Sequence, residues 1–121
     1  MYSKFMYLGP MNKASYYKGC LEPILLRLLG THGRMYGYEI TQRVKELTKG
    51  ELNITEGALY PLLHRLEAEG ILDVELEYSG ARVRKYYRLT RVGKKRTSVI
   101  TEELKSFLQN MESLVYSPKL T

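Results

Sequence analysis

The chain has 121 residues, with 19 Lys and Arg against 13 Asp and Glu and a formal net charge of +6. Single domains typically run about 100–150 residues, so one core is expected, with no room for a separate catalytic domain. A lone cysteine cannot close an internal disulfide, which argues against a disulfide-stapled secreted fold and for a reducing cytoplasm.

Residues 1–18 are rich in Tyr, Met and Lys and are broken by Gly9-Pro10. They read as an N-terminal arm with a short helix over Met11–Lys18, and they lack the basic-then-apolar layout of a signal peptide. Leu21, Ile24, Leu25, Leu28 and Leu29 then form the apolar stripe of an amphipathic helix, with Pro23 in its first turn and Gly30 expected to stop it. Interrupted by Glu22 and Arg27, this stretch is far too short to span a bilayer, so no membrane partner is expected. Cys20, at its start, reads as a small core or interface residue. A second, weaker helix begins near Gly37, turns Ile40, Val44 and Leu47 to one side, and ends at Thr48-Lys49-Gly50.

The third helix has the clearest start. Thr55 is placed to cap it, Ile54 can staple onto Leu59, and Leu59, Leu62, Leu63 and Leu66 form its buried stripe up to Gly70. Pro61, in the second turn, removes one backbone donor, so a bend is expected there. The period then changes to two. Leu72, Val74 and Leu76 alternate with Asp73, Glu75 and Glu77 as a half-buried strand, and after Ser79-Gly80-Ala81 a second strand returns over Arg82–Leu89. From Thr90 a helical period resumes, with Ile100, Leu104, Phe107, Met111 and Leu114 spaced as a heptad seam. A helix of about 25 residues extends about 37 Å and outruns the small domain before it, so part of this seam needs a partner. A second copy would cover it; the alternative is that the face packs on the chain's own first helix and N-terminal arm, as its N-terminal third is expected to do.

Three helices followed by a hairpin give a mainly α chain with the element order of a winged helix-turn-helix. Residues 1–18 form the arm, 19–90 the winged-helix domain and 91–117 a C-terminal dimerisation helix. Between residues 79 and 98 lie eight basic residues and no acidic one, whereas 54–78 carries six acidic residues and one basic. Concentrated positive charge suits double-stranded DNA, although an ordinary solvated surface has the same composition. In a winged helix the third helix enters the major groove and the hairpin flanks it. That would put Arg82, Arg84 and Lys85, with Arg88, on phosphates, and would leave Glu56, Tyr60, Pro61 and His64 on the outer side of the third helix. Tyr60 and His64 can donate to phosphate or base, or simply pack as surface side chains. Glu56, which phosphate would repel, suits the first-turn helix dipole or a cytosine amino group. There is no CxxC, HExxH, GxSxG or glycine-rich phosphate loop, and Glu67 and Glu69 diverge on their helix, so no catalytic residue, metal ligand or cofactor is expected.

Three runs carry a more specific signal: Tyr36-Gly37-Tyr38-Glu39-Ile40, the stretch from Thr55 through Gly70, and Arg84-Lys85-Tyr86-Tyr87-Arg88-Leu89-Thr90-Arg91-Val92-Gly93. Together they resemble the PadR family of transcriptional regulators, over roughly residues 19–115. The resemblance implies a dimeric winged-helix repressor whose C-terminal helix forms much of the dimer interface. It places DNA contacts on Tyr38, Thr55, Tyr60, His64, Arg82, Arg84 and Lys85. The single C-terminal helix is similar to the compact branch of the family, but the Trp that sandwiches flat drugs in some compact members is absent. The Tyr-rich arm leaves a small aromatic effector open. A two-fold dimer would require a pseudo-palindromic operator with half-sites roughly 34–36 Å apart. Two other readings compete: a sequence-nonspecific architectural DNA binder, and a winged-helix protein-interaction module.

Overall fold

The structure is a computed structural model and describes residues 14–118. A short helix, α1 (Ala14–Tyr17), leads through a 3-10 turn (Lys18–Cys20) into α2 (Leu21–His32). The part of the expected Met11–Lys18 helix before residue 14 lies outside the described residues. Leu25, Leu28 and Leu29 of the expected stripe are buried, Leu21 and Ile24 are partly buried, and Leu26, outside the stripe, is buried as well. Gly30 does not stop the helix. It stays helical opposite the Leu89 side chain, and the chain turns three residues later at Gly33, whose φ of +82° closes the end with an N–H bond to the Leu29 carbonyl at 3.0 Å. A helical glycine costs only about 1 kcal/mol, less than the burial its neighbours gain.

After the two-residue strand β1 (Met35–Tyr36) come α3 (Gly37–Leu47) and α4 (Glu56–Ala68). The antiparallel strands β2 (Leu72–Ser79) and β3 (Arg82–Leu89) follow, and α5 (Arg91–Tyr116) ends the described chain. Strand β1 is too short to leave a period in the sequence. It adds to the hairpin through Met35 opposite Tyr87 and Tyr36 opposite Tyr86, giving the sheet order β1–β3–β2. The β2–β3 register runs from Leu72 opposite Leu89 to Ser79 opposite Arg82, which leaves Gly80-Ala81 as the turn. Alternation along β2 buries Leu72 and half-buries Val74, but Leu76 is 50% exposed because the hairpin projects past the core.

One core joins α2, α3, α4 and the sheet through Leu25, Leu26, Ile40, Val44, Leu63, Leu66 and the fully buried Tyr87. Leu62 of the expected stripe is only partly buried at its edge, and Leu47 is 62% exposed. Helix α4 runs unbroken through Pro61.

The junction of α4, the hairpin and α5 is set by Thr90. Its hydroxyl accepts the Gly93 N–H at 3.0 Å, capping α5, and donates to the Gly70 carbonyl at 2.6 Å, while its own N–H donates to the Ile71 carbonyl at 3.1 Å. A Cβ at Gly93 would overlap that Ile71 oxygen, so only glycine lets α5 start so close to the end of α4. Beyond the junction α5 buries only Gly93, Thr97 and Ile100.

Glu22 ties three helices together. Arg65 of α4 donates to one carboxylate oxygen at 2.8 Å, and Arg96 of α5 donates to the other at 3.2 Å; Arg65 also pairs with Glu69. Burial alone would raise the Glu22 pKa, but the hydrogen bonds from Arg65 and Arg96 outweigh it and hold it below the ordinary 4.5. A depressed carboxylate stabilises the fold above its unfolded pKa, and that stability is lost as pH falls through the folded value. Because Arg65 and Arg96 are half-exposed and solvent screens them, Glu22→Gln should cost about 0.5–1.5 kcal/mol in urea unfolding at pH 7, and the gap to the wild type should close below pH 4.5. Equal stabilities at pH 7 would contradict the assignment.

Candidate nucleic-acid interface

Helices α3 and α4, joined by residues 48–55, form a helix-turn-helix, and the start of α4 is its most open part. The Thr55 hydroxyl accepts the Ala58 N–H at 3.1 Å, leaving small, exposed Gly57 and Ala58 in the first turn. Among the described residues, little stands between this end of α4 and an approaching groove.

Tyr60 is held by two contacts that the sequence does not display. Its ring lies directly over Gly37, where a Cβ would sit 2.5 Å from the phenol oxygen, and its hydroxyl donates to Glu56 at 3.2 Å. Burial first, and then that hydrogen bond, raise its pKa above the ordinary 10. Glu56, which the sequence leaves between a dipole partner and a base acceptor, serves in this structure to orient Tyr60. The exposed His64 ring lies one turn on, 6.0 Å from that of Tyr60, so the two form one aromatic edge along α4. Tyr38, 54% exposed, follows Gly37 directly, and its carbonyl accepts the Thr41 hydroxyl at 2.7 Å, fixing the first turn of α3.

The hairpin has two faces, and the charges divide between them. On the outer face Asp73 is opposite Arg88, Glu75 opposite Tyr86, Glu77 opposite Arg84 and Ser79 opposite Arg82. The acidic stretch of the sequence thus lies beside the basic one. Arg34, which the sequence does not single out, binds Glu75 at 3.2 Å and Glu77 at 2.6 Å and covers the Tyr86 ring at 4.1 Å. Arg88 lies 3.8 Å from Asp73 and 3.9 Å from Glu75. Arg84 stacks 4.6 Å over Tyr36, and its pKa is raised by its hydrogen bond to Tyr86 and then by Tyr36, so it stays charged.

Lys85 points to the other face. Its ammonium lies 3.9 Å from Glu67 of α4, in the angle between helix and hairpin. Strand alternation therefore separates Lys85 from Arg82 and Arg84: the three can straddle a backbone ridge but cannot lie flat on one surface. The Lys85 face also carries exposed Leu76, Tyr78 and Val83, with Tyr78 opposite Val83 near the tip. Tyr78 continues the alternation 72, 74, 76, which is the one sequence signal that could have found this apolar strip. Among the described residues no group of three or more His, Cys, Asp or Glu could hold a metal ion, and no helix is long and apolar enough to cross a membrane.

A helix-turn-helix with an open second helix, flanked by a basic hairpin, defines a winged-helix DNA-binding protein. The chain belongs to the PadR-like family of transcriptional regulators, whose model matches residues 25–99. It is 35% identical over 94 residues to an uncharacterized protein of Lysinibacillus sphaericus, covering 77% of this chain and 85% of that one. It is 38% identical over 69 residues to a transcriptional regulator of Mycobacterium tuberculosis, covering 57% and 59%. Among solved structures, it superposes on a transcriptional regulator of Clostridium thermocellum with a TM-score of 0.76 and 30% identity, over 84% of this chain and 98% of that one. A PadR family regulator of Eggerthella lenta gives 0.72 and 28%, over 85% and 88%. The class of function is therefore DNA-binding transcription regulation, and the relatives with a stated role are regulators rather than enzymes.

The seat of Tyr60 on Gly37 is directly testable. Gly37→Ala should cost about 1–3 kcal/mol in urea unfolding by pushing the ring aside, and most of that cost should vanish in a Tyr60→Ala background. Additive costs would mean that the two residues do not touch.

Proposed function

We propose that the chain is a homodimeric repressor, acting in the cytoplasm, that binds a pseudo-palindromic operator. Each copy sets α4 in a major groove and its hairpin wing on the flanking backbone. The observation that carries this reading is the open N-terminal half of α4 next to a wing whose Arg82, Arg84 and Lys85 flank a projecting edge. Tyr60 and His64 then face base edges or phosphates, Thr55 and Tyr38 border the groove, and the wing cations fix register on phosphates. Residues 19–90 are the DNA-binding unit and 91–117 the dimerisation helix.

The second copy follows from α5. Past the buried Ile100 and half-buried Leu104, the seam is open among the described residues, with Phe107 53%, Met111 41% and Leu114 59% exposed. A stripe of this kind on a lone helix is an interface in search of its other half. A small aromatic effector completes the proposed cycle by releasing the operator. The competing readings, an architectural binder and a protein-interaction module, are separated from this one by salt and competitor DNA.

Fluorescence anisotropy with the duplex upstream of the protein's own gene is the test. Log K should fall with log salt at about −0.9 per phosphate neutralised, and binding should survive excess competitor DNA. Arg84→Ala with Lys85→Ala should flatten the slope by about 0.9 for each phosphate the variant no longer neutralises. An unchanged slope removes the wing from the interface, and loss of operator preference leaves the architectural reading. Leu104→Asp should yield monomers by light scattering and weaken operator binding by about a hundredfold or more, since it places a charge in the seam. A dimer that persists at low concentration would contradict the seam as interface.

A further inference from the structure

Helix α3 carries its apolar stripe one turn beyond the core. Ile40 and Val44 are buried, but Leu47 is left 62% exposed, as the wall of a cleft between α2 and α3. The cleft has a volume of about 440 Å³, within the roughly 300–1,000 Å³ of small-molecule sites. Ile24 and Leu28 line it from α2, and Val44 and Leu47 line it from α3. Among the described residues its rim carries Arg27 and His32 and no carboxylate. Arg27 is exposed and has no ion pair or hydrogen bond among the described residues. Apolar walls under an uncommitted guanidinium complement a ligand that is apolar along its length and anionic at one end, because such a ligand buries its body while keeping a charge-assisted bond at the mouth.

We propose that this cleft is an effector site for a free amphipathic monoanion, an apolar chain or ring bearing one carboxylate or sulfonate. The body would lie between Leu28 and Leu47, with the anionic head on Arg27. The route to DNA is short. Helix α3 forms one wall of the cleft and, at its other end, provides Gly37 as the seat of Tyr60. A ligand that wedges α3 away from α2 shifts that seat and favours a conformation in which α4 no longer presents Tyr60 and His64 to the groove. The regulatory consequence rests on the DNA-binding reading above, whereas ligand binding does not.

The test is an NMR titration of the ¹⁵N-labelled full chain with octanoate and, separately, with the uncharged octanol. Octanoate should shift amides within 24–32 and 44–48, and should bind about tenfold tighter than octanol through its bond to Arg27. Arg27→Gln should remove that advantage and leave octanol binding unchanged. Leu47→Asp, at an exposed position that leaves the core intact, should abolish octanoate binding without altering the spectrum elsewhere. Shifts confined to 101–115, a preference that survives Arg27→Gln, or no shifts because a second copy or another part of the chain fills the cleft would each overturn the site. Saturating octanoate should also weaken DNA binding by the wild type and not by Leu47→Asp. Octanoate bound in the cleft with unchanged DNA affinity overturns the regulatory step, whereas a protein that binds no DNA at all defeats the operator reading and leaves the titration decisive for the site.

Discussion

The architecture depends on how closely α5 starts to the end of α4. Thr90 and Gly93 make that approach work: the threonine hydroxyl caps α5 and bonds the Gly70 carbonyl, and the glycine leaves space for the Ile71 oxygen. A helix cap of this kind is worth about 0.5–2 kcal/mol, but its larger consequence is geometric. Between Thr90 and Gly93 it fixes the exit of α4, the root of the hairpin and the direction of α5 against one another. The surface proposed for DNA and the apolar seam proposed for a second copy are thus parts of one rigid arrangement. The Glu22 hub strengthens it from the other side, since Arg65 and Arg96 bring α4 and α5 to one carboxylate on α2.

Charge along the chain and charge on the surface tell different stories. Eight basic residues without an acidic neighbour between 79 and 98 suggest a strongly positive wing. In space the return strand lies against Asp73, Glu75 and Glu77, and Arg34 joins them from the β1 end. Exposed pairs of this sort contribute little to stability, so they organise the outer face of the hairpin more than they stabilise it. Of the wing cations, Arg82 and Arg84 carry no ion pair among the described residues, while Lys85 shares the angle with Glu67 of α4. There, apolar Tyr78 and Val83 accompany them, a mixture suited to a ridge of phosphate and sugar.

Much of this is legible in the sequence because the signals are local. The caps at Thr55 and Thr90 and the change to period two at Leu72 fall where the structure has them, and so does the greater part of the stripes of α2 and α4, with Leu21, Ile24 and Leu62 only partly buried. Gly30 misleads because a single helical glycine is cheap when its neighbours are buried, and the stop belongs to Gly33. Strand β1 is invisible, since two residues have no period. Leu47 continues the pattern of its helix but meets a cleft instead of the core. At the site, the residue types are readable and their arrangement is not. That Gly37 underlies Tyr60, that Glu56 orients its hydroxyl and that Lys85 and Arg84 point to opposite faces are facts of tertiary contact and strand parity.

The central claim is that DNA meets the open end of α4 together with the tip of the hairpin. Hydrogen–deuterium exchange of the full chain, with and without saturating duplex, reads this surface directly. Bound DNA should slow exchange in 55–64 and 78–86 and leave 101–115 as it is in the free protein. Protection confined to α5, or to the outer face of the hairpin around Arg34 and Arg88 with α4 unchanged, would contradict it.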